Sequence, residues 1–123
     1  MMNAPEIFPY SLRARSPMNA RHAGTSVSGV LVRSAGGHAC LQAWESLGDA
    51  PLAEHVASLA GGHPTLLADR ALAAAADDAA ARLAGRSLFD GLVIPPSHAT
   101  IIGPMDPTLA ESWLARGFDS FKV

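Results

Sequence analysis

Apolar and polar residues alternate along the first third of the chain in the manner of β-strands. Residues 27–33 alternate, Gly36-Gly37 supplies a turn, and residues 38–44 resume the alternation, which together predict a hairpin. Upstream, residues 7–13 can form a third strand at a sheet edge, because Pro9 lacks a backbone N–H and is tolerated where that position faces water. The pattern therefore predicts a small antiparallel sheet.

The middle of the chain changes to helical spacing. Pro51 suits the first turn of a helix and Asp49 is one candidate cap; apolar residues then recur every three to four positions until Gly61-Gly62. Thr65 can cap a longer helix that runs to Ala84. We expect two helices after the predicted sheet.

The second of these helices is rich in alanine, which favours helix formation and leaves a thin apolar face. Such a face predicts close packing against a neighbour. Asp78 and Arg82 form a favourable pair four residues apart. The larger apolar side chains expected to pack against the neighbour are Leu66, Leu67, Leu72 and Leu83.

The last third of the chain has the order strand, helix, strand. Residues 87–96 indicate a turn and linker, so we predict one domain at residues 1–95 and another at 96–123. Residues 98–102 resemble a strand, Asp106 caps a helix, and residues 118–123 resemble a second strand. This order is typical of the start of a parallel α/β sheet or barrel. Because an apolar strand ends the sequence, we expect a fragment of a longer protein.

Composition narrows the class of protein. The chain has 123 residues, of which 49% are apolar and 16% charged, with a formal charge of −2, so it can bury a core and does not favour nucleic acid as a partner. Cys40 is the only cysteine and is expected to be a small buried hydrophobe. The sequence has no apolar run of membrane-spanning length, so we expect no membrane contact and a cytoplasmic location.

Motifs for metal, phosphate or nucleophilic chemistry do not emerge from local spacing. The five histidines do not pair at i,i+4, so we predict no metal site within the chain. Gly36-Gly37 and Gly61-Gly62 are too short to cradle a phosphate and indicate turns. The histidines are His22, His38, His55, His63 and His98.

The order of several residues between Ala71 and Leu92 resembles the order found in a known protein family. It is followed by a Pro-x-x-Ala-x-Ile strand, a helix and Gly-Phe-x-x-x-Lys. This order resembles the muconate-lactonising branch of the enolase superfamily, and within it the o-succinylbenzoate synthases. The series is Ala71-Leu72, Asp78, Ala79, Arg82, Gly85, Ser87-Leu88 and Leu92.

The resemblance implies an α+β fold. The enolase-like N-terminal capping domain, made of antiparallel strands and helices, would be followed by the first strand, helix and strand of a truncated (β/α) barrel. Family members carry Lys-x-Lys on an early barrel strand, and Lys122 matches the first lysine. The resemblance implies that Lys122 supports the substrate carboxylate electrostatically beside the catalytic base. In the isolated polypeptide, Lys122 is instead expected to be an ordinary surface lysine.

The resemblance also implies that two loops of the capping domain contact the substrate. Residues 15–26 match the first loop, where Met18, Asn19 and Arg21 are candidate substrate-binding residues together with His22. Arg21 could hold a carboxylate through two hydrogen bonds or simply be solvated. A second loop follows Trp44, which either lines the barrel mouth or packs beneath it.

The implied activity is that of a Mg²⁺-dependent carbon–oxygen lyase, a dehydratase that makes o-succinylbenzoate from a cyclohexadiene precursor for menaquinone synthesis. Its substrate is a small carboxylate and its Mg²⁺ belongs to the full-length parent. This chain lacks the second lysine and the metal-binding carboxylates, so we expect inactivity and no bound cofactor for the chain alone. The alternatives are a cycloisomerase, racemase or dipeptide epimerase of the same superfamily, or a non-catalytic α+β binding domain.

Overall fold

The computed structural model describes residues 4–15, 24–101, 103–104 and 106–122. The chain divides into two compact units, Met1–Leu88 and Phe89–Val123. The predicted domain boundary after residue 95 stays a prediction. Within the described ranges, no helix combines the length and the apolar character that crossing a bilayer demands.

The first unit begins with a three-stranded antiparallel sheet, in agreement with the prediction. Strands β1 (Glu6–Arg13), β2 (Ser26–Ser34) and β3 (Gly37–Leu41) lie in the order β1-β2-β3. Pro9 stands opposite Val30 on the edge strand β1, where a missing N–H is tolerated because it can face outward. β3 ends three residues earlier than predicted, so Trp44 lies outside the strand.

The β2–β3 hairpin closes through a two-residue turn with positive φ at both central positions. Ser34 pairs with Gly37, and between them Ala35 has φ 52° and Gly36 has φ 86°. Two-residue hairpins prefer this backbone because its twist matches that of the strands. Glycine tolerates the conformation, whereas Ala35 carries a Cβ into it.

Two helices cover one face of the sheet. After a short 3₁₀ turn at Glu45–Leu47 come α1 (Leu52–Leu59) and α2 (Leu66–Leu83). Thr65 caps α2 as predicted, because its side chain accepts a hydrogen bond from the Ala68 N–H at 3.3 Å. The buried core between helices and sheet comprises Val30, Val32, Leu41, Leu59, Ala68 and Ala71.

The face by which α2 packs differs from the expectation. Leu67 and Leu72 contact the core, but Leu66 is 65% exposed and Leu83 is 92% exposed, so these two are not packing residues. Alanines form the contact surface instead. The buried alanines of α2 are Ala68, Ala71, Ala75 and Ala81.

The position of Gly37 explains why α2 packs against the sheet through alanines. A Cβ built on Gly37 would lie 1.9 Å from the Ala75 carbonyl oxygen and 2.5 Å from the Ala79 backbone nitrogen. The start of β3 therefore meets the α2 backbone with no space for a side chain. The predicted close approach of the alanine-rich helix to a neighbour is confirmed.

The second unit contains β4 (Ala99–Thr100), α3 (Pro107–Ala115) and β5 (Phe121–Lys122). Asp106 caps α3 by accepting from the Thr108 N–H at 2.9 Å, as predicted. β4 and β5 pair in parallel, which gives the predicted order of strand, helix and strand, although the ladder is shorter than the predicted strands. That this unit begins a barrel stays a prediction.

Candidate functional site

The predicted substrate-binding residues divide between described and undescribed parts of the chain. Met18, Asn19 and Arg21, with His22, lie outside the described residues. Trp44 is described and half-buried in the first unit. Lys122 is described too and belongs to the second unit.

Trp44 begins a tight turn, and the Asp49 carboxylate holds the two ends of this turn together. The Trp44 carbonyl accepts hydrogen bonds from the Leu47 N–H at 2.8 Å and the Asp49 N–H at 3.3 Å. In return, the Asp49 Oδ2 accepts from the Trp44 N–H at 2.8 Å. Gly48 has φ 105°, which lets the chain reverse without a Cβ clash. The turn is thus fixed at both ends.

The predicted role of Asp49 as a helix cap is wrong. Helix α1 begins after Pro51, and no described side chain caps its first turn. Asp49 lies too early in the chain for that role, and its carboxylate is occupied by the Trp44 N–H. Its observed contact holds the Trp44 turn rather than the helix.

A cleft of about 280 Å³ lies beside this turn, and we call it the Trp44 cleft. One wall comes from the start of β2, directly after the first predicted substrate loop; another comes from the second predicted loop. The structure therefore brings the described flanks of both loops together. Its described lining residues are Ser26, Val27, Ser28, Ala43, Trp44, Glu45, Ser46 and Leu52.

Lys122 is exposed at the end of the second unit's ladder. It stands opposite Thr100, and its carbonyl accepts a hydrogen bond from the Ile101 N–H at 2.9 Å. The backbone of Lys122 is fixed by this parallel pairing, while its ammonium group faces solvent in this unit. Its catalytic role stays a prediction.

Two histidines in the described ranges, His55 and His38, have side-chain contacts. The buried His55 places Nδ1 2.9 Å from the Thr65 hydroxyl, and its Nε2 has no hydrogen-bond partner among the described residues. His38 Nδ1 lies 3.6 Å from the Asp78 carboxylate. No group of three or more His, Cys, Asp or Glu side chains that could hold a metal ion occurs in the described part of the chain.

Asp78 joins α2 to the β2–β3 hairpin. Its Oδ2 accepts from the Arg82 Nε at 2.7 Å and from the His38 backbone N–H at 2.8 Å. These two hydrogen bonds, chiefly the one from Arg82, lower the pKa of Asp78 below its ordinary value of 3.8. The expected i,i+4 pair is present, and the bond to the hairpin was not foreseen.

The exposed face of the sheet carries a cluster that the sequence analysis missed. The Tyr10 hydroxyl lies 3.0 Å from Cys40 Sγ and donates to Gln42 Oε1 at 3.2 Å. Cys40 is exposed, so the expectation of a buried cysteine is wrong. Partial burial, and then the contact with Cys40, raise the pKa of Tyr10 to about 12.

A larger cleft, of about 610 Å³, lies at the hairpin end of the sheet. Its charged groups already contact one another: the Arg33 Nε donates to the Glu6 carboxylate at 3.0 Å, and the Arg33 guanidinium stacks on the Phe8 ring. Its size alone does not favour ligand binding. The described lining is Ala4, Glu6, Arg33, Ser34, Ala35, Gly36 and His38.

An antiparallel three-stranded sheet covered on one face by helices is the fold expected of an enolase-superfamily capping domain. A family model described as the o-succinylbenzoate synthase N-terminal domain matches residues 5–81. That range contains the sheet, α1, all of α2 except its last two residues, and the Trp44 cleft. The chain belongs to this family, which confirms the predicted resemblance and the α+β class. A comparison with curated protein sequences gave no match.

Proposed function

We propose that this chain supplies the capping domain of a Mg²⁺-dependent dehydratase that forms o-succinylbenzoate in menaquinone biosynthesis. The observation that carries the proposal is the family match over residues 5–81, on a fold whose sheet and helices fit a capping domain. The reaction is a carbon–oxygen lyase reaction on a small carboxylate, in which a base removes the proton α to the carboxylate and water then leaves.

In this proposal the first unit contacts the substrate. The Trp44 cleft supports that role because it lies between the flanks of the two loops that relatives use to read the substrate. Trp44 provides an apolar wall, and Met18, Asn19 and Arg21 are proposed to complete the site from the first loop. Arg21 would hold a carboxylate through two hydrogen bonds.

Lys122 is proposed to act beside the base. Its match to the first lysine of the Lys-x-Lys motif supports this role, because a cation close to the substrate carboxylate stabilises the dianion that forms on proton removal. When bound, Mg²⁺ would stabilise the same charge. The described residues do not fit a magnesium site, since no group of three potential ligands occurs among them.

The proposal is tested by supplying a barrel domain. The 123-residue chain is mixed with the barrel domain of an o-succinylbenzoate synthase from which the capping domain has been removed, and product formation is followed with Mg²⁺ and the cyclohexadiene substrate. We expect no turnover by either part alone and measurable turnover by the mixture. A mixture as inactive as the separate parts, although both are folded and associate, would contradict the proposal.

Two variants sharpen the assay. Trp44→Ala removes the apolar wall of the Trp44 cleft and should lower kcat/KM of the mixture about tenfold, mainly through KM. Leu47→Ala is the matched control, because Leu47 lies in the same turn, is 53% exposed and does not line the cleft. Equal loss in both variants would show that the turn matters only for folding.

A further inference from the structure

We infer that the Trp44 cleft receives the uncharged part of its ligand and excludes a carboxylate. This inference rests on the proposed function, since it concerns how a capping domain would read a substrate. It adds an orientation to that function: a ring or hydroxyl group lies in the cleft and the acidic end of the ligand stays outside.

The described lining suits an uncharged, partly apolar group. Trp44 and Leu52 provide apolar surface, while the hydroxyls of Ser28 and Ser46 can both donate and accept hydrogen bonds. Such a mixture of apolar walls and a few polar groups is typical of small-molecule sites. A cyclic alcohol or an unsaturated ring meets these requirements.

The charges at the Trp44 cleft oppose an anion. Glu45 is the one acidic or basic side chain in the described lining, and the Asp49 carboxylate, which is not part of that lining, accepts a hydrogen bond from the Trp44 N–H. A carboxylate entering the cleft would therefore approach the negative charge of Glu45. At contact distance, even in water, one such repulsion weakens binding by a factor of about five.

A cation stands at the edge of the same region. Arg13 is exposed and is the cross-strand partner of Ser26, at the end of β1, but it is not part of the described lining. A ligand whose ring fills the cleft can thus place its carboxylate outward, towards positive charge. The acidic Glu45 in the lining and the neighbouring Arg13 together set the orientation.

The Trp44 turn keeps this arrangement in place. The Asp49 carboxylate and the Gly48 reversal fix the backbone on both sides of Glu45, so the turn holds the Glu45 backbone beside the cleft. Glu45 is exposed, so its charge can be removed without altering the fold.

Benzyl alcohol and benzoate form the matched pair of probes, since they share a ring and differ in charge. Each is titrated into the ¹⁵N-labelled 123-residue chain, and the amide shifts of Ser28, Ala43 and Ser46 are followed by NMR. We expect saturable shifts with benzyl alcohol and binding about fivefold weaker with benzoate. Benzoate binding as tight as benzyl alcohol, or no shifts from either probe, would overturn the inference.

Glu45→Gln tests whether the charge of Glu45 causes the weaker binding of benzoate. It should strengthen benzoate binding about threefold to fivefold and leave benzyl alcohol binding unchanged. The control is Glu54→Gln, which removes the same charge from an exposed position on α1 outside the cleft lining. Identical binding of benzoate by the two variants would show that the Glu45 charge does not exclude a carboxylate. Turnover is not measured, so failure of the dehydratase assay leaves this result intact, and the reverse also holds.

Discussion

Ala35 is the one described non-glycine residue with positive φ, and it occupies the first position of the hairpin turn. Left-handed backbone costs an L-residue about 1 kcal/mol, and asparagine tolerates it better than alanine. We expect Ala35→Asn to raise the free energy of unfolding by about 0.5–1 kcal/mol, measured by urea denaturation. The opposite change in the same turn is the control: Gly36→Ala, at φ 86°, should lower that free energy. A destabilising Ala35→Asn would show that the turn is not strained.

Tyr10 gives a second prediction because it is the sole tyrosine in the sequence, so phenolate absorbance reports on it alone. Its pKa is raised to about 12 from 10.0, chiefly by desolvation and then by Cys40. A raised pKa stabilises the fold fully below pH 10.0, and this contribution is lost as the pH rises through about 12. Cys40→Ala should move the absorbance midpoint part of the way back, since desolvation remains. A midpoint at the value of a free tyrosine derivative would contradict the burial of the hydroxyl.

At the scale of elements, the sequence predicted the strands and helices well and their faces less well. Alternation located the three strands because a half-buried sheet requires it. The same alternation in β3 places Cys40 with His38 and Gln42, opposite Ala39 and Leu41, so the exposure of Cys40 could have been foreseen. For α2 no such signal exists: its periodicity does not distinguish a leucine face from an alanine face until the neighbouring backbone, at Gly37, is known.

The Asp78 carboxylate connects two elements, helix α2 and the β2–β3 hairpin. Its lowered pKa adds stability above pH 3.8, and this contribution is lost as the pH falls through the pKa of the folded state. We expect Asp78→Asn to lower the urea midpoint at neutral pH and to make the remaining stability less sensitive to acid below about pH 4. Asp77→Asn, on the exposed surface of α2, should retain the acid sensitivity of the parent chain. Identical pH profiles for the two variants would show that Asp78 forms no bond that matters for folding.

At the scale of the whole molecule, the sequence predicts which segments form the candidate site but not which chemical groups line it. Sequence order predicts two substrate loops and a role for Trp44, because the family resemblance assigns their positions along the chain, and this role stays a prediction. The contact between Asp49 and the Trp44 N–H was missed, since a side chain that bonds backbone five residues away leaves no periodic pattern. The acidic lining likewise depends on which residues the turn brings beside the start of β2.

The two compact units should differ in stability, because the buried core of helices and sheet lies entirely within the first. Val32, with 0% exposure, is surrounded by that core, whereas the ladder of the second unit consists of two residue pairs. Amide exchange of the full chain should therefore show slow exchange at Val30 and Val32 and fast exchange at Ala99 and Ile101. Large apolar residues of the second unit, including Val93 at 96% exposure, favour its association with another surface or aggregation.

A truncated chain of residues 1–88 separates these contributions. It keeps every residue of the buried core, so we expect it to unfold cooperatively with nearly the urea midpoint of the full chain. The alternative is that the second unit contributes to folding of the first. Slow exchange at Ile101 equal to that at Val32 in the monomeric full chain, or an unfolded 1–88 chain, would establish that alternative. The division of the chain would then describe its geometry without describing its folding.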